Sequence, residues 1–241
     1  MYHIHCLNKI SPKGTALLTD NYAITDDRNQ ADGVLVRSAD MHNVALPESL
    51  LAVARAGAGV NNIPLSDCAE AGVVVFNTPG ANANSVMELA LCGMLLSSRD
   101  VVGGINWVQT VKDDPDIAKL VEKGKSKFAG HEIRHKNLGV IGLGAIGRKV
   151  ASIAQAFGCR VIYYSTSGAH DDPDYERVDL YRLLKDSDVV SIHAPLNEAT
   201  ENLMNIETFA NMKRNAILIN VGRGAIVNER DPCCALREGL I

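Results

Sequence analysis

Residues 138–151, LGVIGLGAIGRKVA, decide the fold of this chain. They predict a short buried strand, a glycine-rich turn and the first turns of a helix. The GxGxxG spacing is typical of a dinucleotide-binding turn: Gly142 allows the tight turn, Gly144 lets the backbone approach a pyrophosphate, and Gly147 lets the helix pack on the sheet. Free backbone N–H groups at the positive end of the helix would hold the pyrophosphate.

The flanking sequence separates this turn from an ordinary one. A bare GxGxxG is weak evidence, and a plain tight turn is the alternative. Here the apolar run 138–141 precedes the glycines, and an amphipathic run from Ile146 to Phe157 follows them. This context favours a dinucleotide site. The cofactor-binding residues predicted in the turn are Gly142, Leu143, Gly144, Ala145, Ile146 and Gly147.

The composition is that of a globular enzyme with a small-molecule partner. A length of 241 residues allows one large or two small domains, and 46% hydrophobic and 22% charged residues are ordinary values. A net charge of −4 gives no case for nucleic acid or an anionic membrane. The first residues lack the basic start and apolar core of a secretory signal. We therefore expect a cytoplasmic protein with no membrane or nucleic-acid partner.

Cysteine spacing predicts no metal site. Most of the cysteines lie inside apolar runs, so we expect reduced, buried thiols. The six are Cys6, Cys68, Cys92, Cys159, Cys233 and Cys234.

The first part of the chain predicts a parallel sheet. Continuous apolar runs cover residues 33–38, 51–55 and 72–77, as in strands buried on both faces. Ser85, with Glu88 three residues later, predicts the N-cap of a long helix that ends near Arg99. We place a domain boundary there, with domains of residues 1–99 and 100–241.

The segment from Val111 to Lys136 is charged, with acidic residues interleaved among its lysines. It predicts a solvated connector or arm, and a basic binding patch is the alternative. From residue 138 onward, strands and helices alternate. Alternating β and α segments with right-handed crossovers indicate a second doubly wound parallel sheet. The strands are predicted at 138–141, 160–164, 188–193 and 216–221, and the helices at 178–184, 206–212 and 228–238.

Five motifs in order carry a resemblance to a known family. They are RAGAGVNNI at 55–63, NTPGAN at 77–82, the glycine turn, HAPLNEAT at 193–200 and INVGRG at 219–224. With them the whole chain resembles the D-isomer-specific 2-hydroxyacid dehydrogenase family. The resemblance implies a flavodoxin-like substrate-binding domain over 1–99 and an NAD(P)-binding Rossmann domain over 100–241 that lacks its last strands.

The resemblance also implies a reaction. A hydride moves between the nicotinamide C4 and the C2 carbon of a D-2-hydroxy or 2-oxo acid. Residues 1 to about 150 look most like the phosphoglycerate dehydrogenases of serine biosynthesis, which implies 3-phosphoglycerate and phosphohydroxypyruvate. The part from about 160 onward is also similar to glycerate- or lactate-type members, so the acid stays open. A catalytically silent dinucleotide-binding or corepressor-like module is the alternative.

Arg223 is the catalytic and substrate-binding arginine that the resemblance implies. A planar guanidinium can hold a carboxylate and polarise the adjacent carbonyl oxygen. The backbone N–H groups of Ala58 and Gly59 resemble a carboxylate nest. Asn82 looks like a polar contact at the substrate. Arg37 and Ser38 end a strand and are either ligands of a substrate phosphate or ordinary strand-end polar residues.

The cofactor residues implied outside the glycine turn follow other strand ends. They are Ser165, His193, Ala194, Pro195, Thr200, Val221 and Gly222. His193 is expected to flank the cofactor and not to donate the proton. Ser165 stands where NAD-binding sheets usually carry Asp or Glu. Hydroxyls at 165–167 could donate to a 2′-phosphate, but no arginine adjoins them in the sequence, so we expect NAD and leave NADP open.

A second departure concerns the end of the chain. The family's Glu–His proton-transfer pair is expected after further strands, and the 241 residues do not contain it. The strand at 216–221 would then keep an unpaired apolar edge. We expect such a chain to be marginally stable or to form a homodimer.

Overall fold

The computed structural model describes residues 1–166 and 172–240. Its contacts divide the chain into two units, Met1–Asn82 and Ala83–Ile241. The helix Ala83–Ser98 therefore groups with the second unit, whereas the predicted boundary near residue 100 placed it in the first. The reason is its buried face, since Met87 and Met94 pack into the core of the second unit.

The first unit is a five-stranded parallel sheet in the order β2-β1-β3-β4-β5. This order is flavodoxin-like, and its topological switch point lies between β1 and β3. The elements are β1 Tyr2–Cys6, α1 Pro12–Thr15, β2 Tyr22–Thr25, β3 Gly33–Val36, β4 Ala52–Arg55, α2 Leu65–Glu70 and β5 Val74–Phe76.

The second unit opens with three helices and continues as a parallel sheet in the order β10-β9-β6-β7-β8. This is the Rossmann order, with its switch point between β6 and β9. The helices are α3 Ala83–Ser98, α4 Val101–Val111, α5 Ile117–Gly124, α6 Ala145–Ala156, α7 Leu180–Asp186, α8 Ile206–Ala210 and α9 Asp231–Arg237. The strands are β6 Asn137–Ile141, β7 Arg160–Tyr164, β8 Glu176–Arg177, β9 Val189–Ile192 and β10 Ile217–Asn220.

Strand β6 divides the core of the second unit into two layers. Successive side chains of a strand point to opposite faces of the sheet. Leu138 and Val140 therefore pack in the layer that holds α3 and α6. Ile141 packs in the other layer with Leu183 and Phe209. With both faces covered, the sheet can have the continuous apolar strands from which it was predicted.

The predicted capping box at Ser85 is wrong, and the charged segment after α4 contains more regular structure than its sequence indicates. The long helix begins at Ala83 and not after Ser85. Glu88 pairs with Asn84, whose amide nitrogen donates to its carboxylate at 2.6 Å, so Ser85 and Glu88 form no capping box. The segment 111–136, predicted to be a connector or arm, contains α5 and a short 3₁₀ turn. Trp107 on α4 packs against Phe128 with ring centroids 5.3 Å apart, which explains why this charged stretch is folded.

The cysteines only partly match the expectation of buried thiols. All six are free. Cys68 and Cys159 are buried and Cys6 is half-buried, but Cys92, Cys233 and Cys234 are exposed, on α3 and α9. Residues 1–166 and 172–240 hold no group of three or more His, Cys, Asp or Glu side chains that could bind a metal ion. Within the same residues, no helix is long and apolar enough to cross a membrane.

Candidate functional site

The glycine turn after β6 is tightly packed on one side and open on the other. Gly142 has a φ of +95°, and a Cβ there would lie 2.7 Å from the nitrogen of Ala194 and 2.8 Å from the carbonyl carbon of His193. A Cβ on Gly147 would overlap the carbonyl oxygen of Gly142. A Cβ on Gly144 would meet no atom within 4 Å. Two glycines therefore allow close backbone packing, while the third borders open space.

Helix α6 presents free donors to that space. The N–H of Arg148 donates to the carbonyl of Gly144 at 3.0 Å and is the first N–H of the helical ladder. The N–H groups of residues 145–147 precede it and point out of the helix end, where the helix dipole favours an anion. The Leu143 side chain is buried in the core and anchors the turn from below. These features fit the pyrophosphate of a dinucleotide.

The loop after β9 is held in shape by Thr200. This residue is fully buried, and its hydroxyl donates to the carbonyl of Pro195 at 2.6 Å. The same oxygen accepts the N–H of Asn197 at 2.9 Å. Thr200, which was predicted to bind the cofactor, therefore stabilises the loop from its buried side. Ala194 packs against the glycine turn, and Pro195 is exposed.

His193 is neutral at physiological pH. Its Nε2 lies 2.8 Å from the hydroxyl oxygen of the buried Ser191. Burial lowers the pKa of His193 from 6.5 to about 4. A group that is unprotonated at pH 7 has no proton to give, which agrees with a position beside the cofactor and not with general acid chemistry.

Asn220, a residue missed in the sequence, holds the turn that carries Arg223. The Asn220 side-chain oxygen accepts the N–H of Gly222 at 3.1 Å, and its amide donates to the carbonyl of Arg223 at 3.0 Å. The Asn220 side chain therefore hydrogen-bonds to two backbone groups of the turn that contains Val221. An Asn at a strand end is a signal for such a turn. The half-buried Arg223 guanidinium has no hydrogen bond or ion pair within residues 1–166 and 172–240, and is available to an anion.

The end of β7 lies beside the glycine turn, because the N–H of Gly142 donates to the carbonyl of Tyr164 at 2.8 Å. Ser165 follows directly and is buried. No arginine adjoins Ser165 in the sequence, but one lies close to it in the folded structure. Arg177 on β8 places its Nη2 3.5 Å from the carbonyl oxygen of Ser165. Ser167, the last of the predicted hydroxyls, lies outside the described residues.

In the first unit, Asn8 organises the turn after β3. Its side-chain oxygen accepts the N–H groups of Arg37 and Ser38 at 3.0 Å each and that of Ala39 at 2.9 Å. Asn8 follows β1, so this contact spans the switch point of the first sheet. The backbone donors of this turn are occupied, and the exposed side chains of Arg37 and Ser38 remain for a ligand. Asn8 carries no motif and was not predicted.

The turn after β4 keeps free backbone donors. The Asn77 amide donates to the carbonyl of Ala58 at 2.7 Å, and the N–H of Thr78 donates to the carbonyl of Gly57 at 3.0 Å, so the turns after β4 and β5 are joined. Within the part of the chain that the structure describes, the N–H groups of Ala58 and Gly59 have no acceptor. This agrees with an anion nest. Asn82 is exposed at the end of this unit.

Each sheet thus gathers its predicted site residues at one edge. In the second unit, residues 142–147, Ser165, 193–194 and 221–223 all follow the carboxyl ends of strands. In the first unit, residues 37–38 and 58–59 do the same. The carboxyl edge of a doubly wound parallel sheet is where such folds bind ligands.

Comparison with known proteins gives a consistent result. The model of a family described as "D-isomer specific 2-hydroxyacid dehydrogenase, NAD binding domain" matches residues 92–241. A hydroxypyruvate reductase from Thermotoga maritima is 34% identical over 243 residues, which cover 95% of this chain and 76% of that protein. A D-3-phosphoglycerate dehydrogenase from Methanocaldococcus jannaschii is 34% identical over 221 residues. Those residues cover 88% of this chain but only 40% of that enzyme.

The fold has a close counterpart among solved structures. A crystal structure of a protein from Thermus thermophilus superposes with a TM-score of 0.84 at 28% identity. The match covers 98% of this chain and 78% of the other. The sheet orders described above therefore agree both with a sequence family and with an experimentally determined fold.

Replacing Gly144 with Ala should weaken dinucleotide binding without destabilising the fold. The added methyl group would take up space that the packing leaves open and that a pyrophosphate needs. We expect the Kd for NADH, measured by fluorescence titration, to rise by about tenfold or more, with a change in unfolding free energy within about 1 kcal/mol. Gly104→Ala, which adds a Cβ at ordinary contact distance, is the control. Unchanged affinity in Gly144→Ala would contradict this placement of the pyrophosphate.

Acid should destabilise the chain partly through His193. Its pKa is lower folded than unfolded, so between pH 6.5 and about 4 the unfolded state binds more protons. The stabilisation is therefore complete above pH 6.5 and is lost as pH falls towards 4, by up to about 3 kcal/mol. Urea unfolding followed by circular dichroism from pH 7 to 4.5 should show a shallower loss for His193→Gln. The exposed His131→Gln should keep the wild-type slope, and equal slopes for all three proteins would refute the assignment.

Proposed function

Because the chain belongs to the D-isomer-specific 2-hydroxyacid dehydrogenase family, we propose that it transfers a hydride between a nicotinamide cofactor and the C2 carbon of a D-2-hydroxy acid or its 2-oxo acid. The observation that carries this proposal is the Arg223 guanidinium, which has no partner within the described residues. It lies at the same sheet edge as the open glycine turn. The reaction requires a cation for the substrate and a binding turn for the dinucleotide, and both lie at this edge of the sheet.

The second unit would hold the cofactor mainly through its backbone. The nicotinamide, when bound, supplies or accepts the hydride. Free backbone N–H groups of residues 145–147 in the turn 142–147 would bind the pyrophosphate, and the loop at His193 and Ala194 would border the cofactor on the β9 side. Val221 and Gly222 would border it on the β10 side. Backbone contacts suit this task because they are fixed before the ligand arrives.

Arg223 would bind the substrate carboxylate and polarise the C2 carbonyl oxygen. A guanidinium stays protonated at every accessible pH and offers its donors as a planar fork. Negative charge develops on the C2 oxygen during hydride transfer to a 2-oxo acid, and a fixed cation stabilises it. Asn220 keeps this arginine in place through both ends of its turn.

The proton that completes the reduction would not come from His193, because a pKa of about 4 leaves the ring unprotonated. The family resemblance assigns this step to a Glu–His pair and not to His193. A second candidate function is a catalytically silent dinucleotide-binding module that acts through a partner, because the open glycine turn would bind a dinucleotide in either case.

For the substrate we propose 3-phosphoglycerate and phosphohydroxypyruvate, hence a role in serine biosynthesis in the cytoplasm. Exposed Arg37 and Ser38 side chains at the switch point of the first sheet support a phosphate ligand, and the free N–H groups of Ala58 and Gly59 support an anionic group. Asn82 would add a polar contact. Hydroxypyruvate is an equally supported substrate, because one relative is a hydroxypyruvate reductase and another a D-3-phosphoglycerate dehydrogenase. The net charge of −4 supports a small-molecule partner and not nucleic acid or a membrane.

Arg223→Gln should lower the rate of 2-oxo acid reduction by about 100-fold or more, since one fixed donor at a developing oxyanion contributes that much. NADH oxidation at 340 nm would be followed with phosphohydroxypyruvate, hydroxypyruvate and glyoxylate. NADH affinity should be unchanged, and Arg230→Gln, an exposed arginine nearby, should keep the wild-type rate. Equal rates in Arg223→Gln and wild type would refute the catalytic role. Cofactor binding with no wild-type turnover on any acid would favour the silent module.

We also propose a homodimer formed through α4. Its Val101, Val102, Ile105 and Val108 side chains are 40–57% exposed. Residues 101, 105 and 108 follow the helical repeat and form one apolar stripe. The opposite face carries Trp107, which packs on Phe128. A second copy of the chain, placing the same stripe against this one by a two-fold axis, would bury it.

Sedimentation velocity at micromolar concentration should show a dimer, and Ile105→Glu should convert it to a monomer. A buried carboxylate facing its own copy is costly. Leu236→Glu, at an exposed leucine on α9, is the matched control and should stay dimeric. A wild-type monomer across the concentration range would refute the interface.

A further inference from the structure

In this fold, the residue that follows β7 helps to decide whether the site accepts the adenosine ribose of NAD or the 2′-phosphorylated ribose of NADP. In a sheet of this order, a carboxylate at that position binds the 2′-hydroxyl of NAD, whereas a nearby arginine accommodates the 2′-phosphate of NADP. Ser165 occupies the position and carries no charge. The contact between Gly142 and Tyr164 holds it next to the glycine turn. Nothing in Ser165 would repel a phosphate.

Arg177 supplies a positive charge at the same place. Strand β8 pairs in parallel with β7 and sets Arg177 opposite Tyr163. The arginine side chain reaches past the end of β7, where its Nη2 lies 3.5 Å from the carbonyl oxygen of Ser165. The residue is exposed, so a ligand can reach it. Within the described part of the chain, this long hydrogen bond leaves most of the guanidinium donors for an anion.

Two neighbouring carboxylates, Glu176 and Asp172, pair with other arginines. Glu176 pairs with Arg182 at 2.8 Å and with Arg160 at 3.3 Å. Asp172 pairs with Arg148. Within residues 1–166 and 172–240, Arg177 has no carboxylate within 4.0 Å. Among the residues that the structure describes, the charge beside Ser165 is therefore positive.

We infer that Arg177, together with Ser165, binds the 2′-phosphate of NADP(H) and is the residue that makes this site prefer NADPH over NADH. The inference rests on the proposed function, since it concerns the same cofactor. Arginine suits the role because its planar fork matches a phosphate, with charge-assisted hydrogen bonds stronger than neutral ones. The sequence alone favoured NAD because Arg177 is distant from Ser165 along the chain.

Fluorescence titration with NADPH and NADH tests the preference. The wild-type chain should bind NADPH about tenfold or more tightly than NADH, since one charge-assisted site is at stake. Arg177→Gln should bring the two affinities close together by weakening NADPH alone, and Arg177→Lys should keep part of the preference. Ser165→Asp should reverse it. Arg160→Gln, at an exposed arginine paired with Glu176 on the same sheet, should leave both affinities unchanged.

Calorimetry with 2′,5′-ADP and 5′-AMP measures the contribution of the 2′-phosphate to binding in the absence of the nicotinamide. Only 2′,5′-ADP should lose affinity in Arg177→Gln. NADH binding as tight as NADPH binding in wild type, or an equal loss of both in Arg177→Gln, would overturn the inference and leave the proposed dehydrogenase function standing. Failure of every nucleotide to bind would overturn both.

Discussion

The second unit depends on a backbone-to-backbone contact between the glycine turn and the loop after β9. Gly142 lies so close to His193 and Ala194 that a methyl group would not fit, and a methyl group on Gly147 would overlap the carbonyl oxygen of Gly142. These contacts bring the carboxyl ends of β6 and β9 together at the switch point. Because Gly142 and Gly147 carry no side chain, the turn can pack this closely. The third glycine, Gly144, then borders open space in front of the free N–H groups of α6. The binding crevice is thus a consequence of close packing elsewhere in the turn.

Polar side chains complete the other strand ends by bonding to backbone. Asn220 closes the turn after β10, Thr200 closes the loop after β9, and Asn8 closes the turn after β3. Each satisfies backbone groups that a strand end leaves without partners. Each also fixes a loop whose own residues are then free to meet ligands. The residues that shape the site are therefore distinct from those that would touch a ligand, as Thr200 shows.

The strand runs and the glycine turn could be predicted from the sequence because their signals are local. Continuous apolar runs require a sheet covered on both faces, and the glycine spacing requires a strand before it and a helix after it. The arginine beside Ser165 could not be predicted, because the pairing of β8 with β7 brings Arg177 there across the intervening chain. Asn8 was missed for the same reason, since its partners lie after another strand. The contacts divide the chain before α3 and not near residue 99, because α3 follows the first sheet in sequence but packs in the second core.

Charge is arranged along the carboxyl edge of the second sheet in a way that suits an extended anionic ligand. Arg223 follows β10 and Arg177 is on β8, so the two lie at opposite ends of the order β10-β9-β6-β7-β8. Strands about 4.8 Å apart separate these ends by about 19 Å. Between them lies His193, which burial keeps neutral. An oxidised nicotinamide ring is itself cationic, and a protonated imidazole beside it would repel it. The helix donors at the glycine turn in the middle and a cation at each end therefore favour an extended anionic ligand, and the neutral imidazole leaves room for a cationic ring.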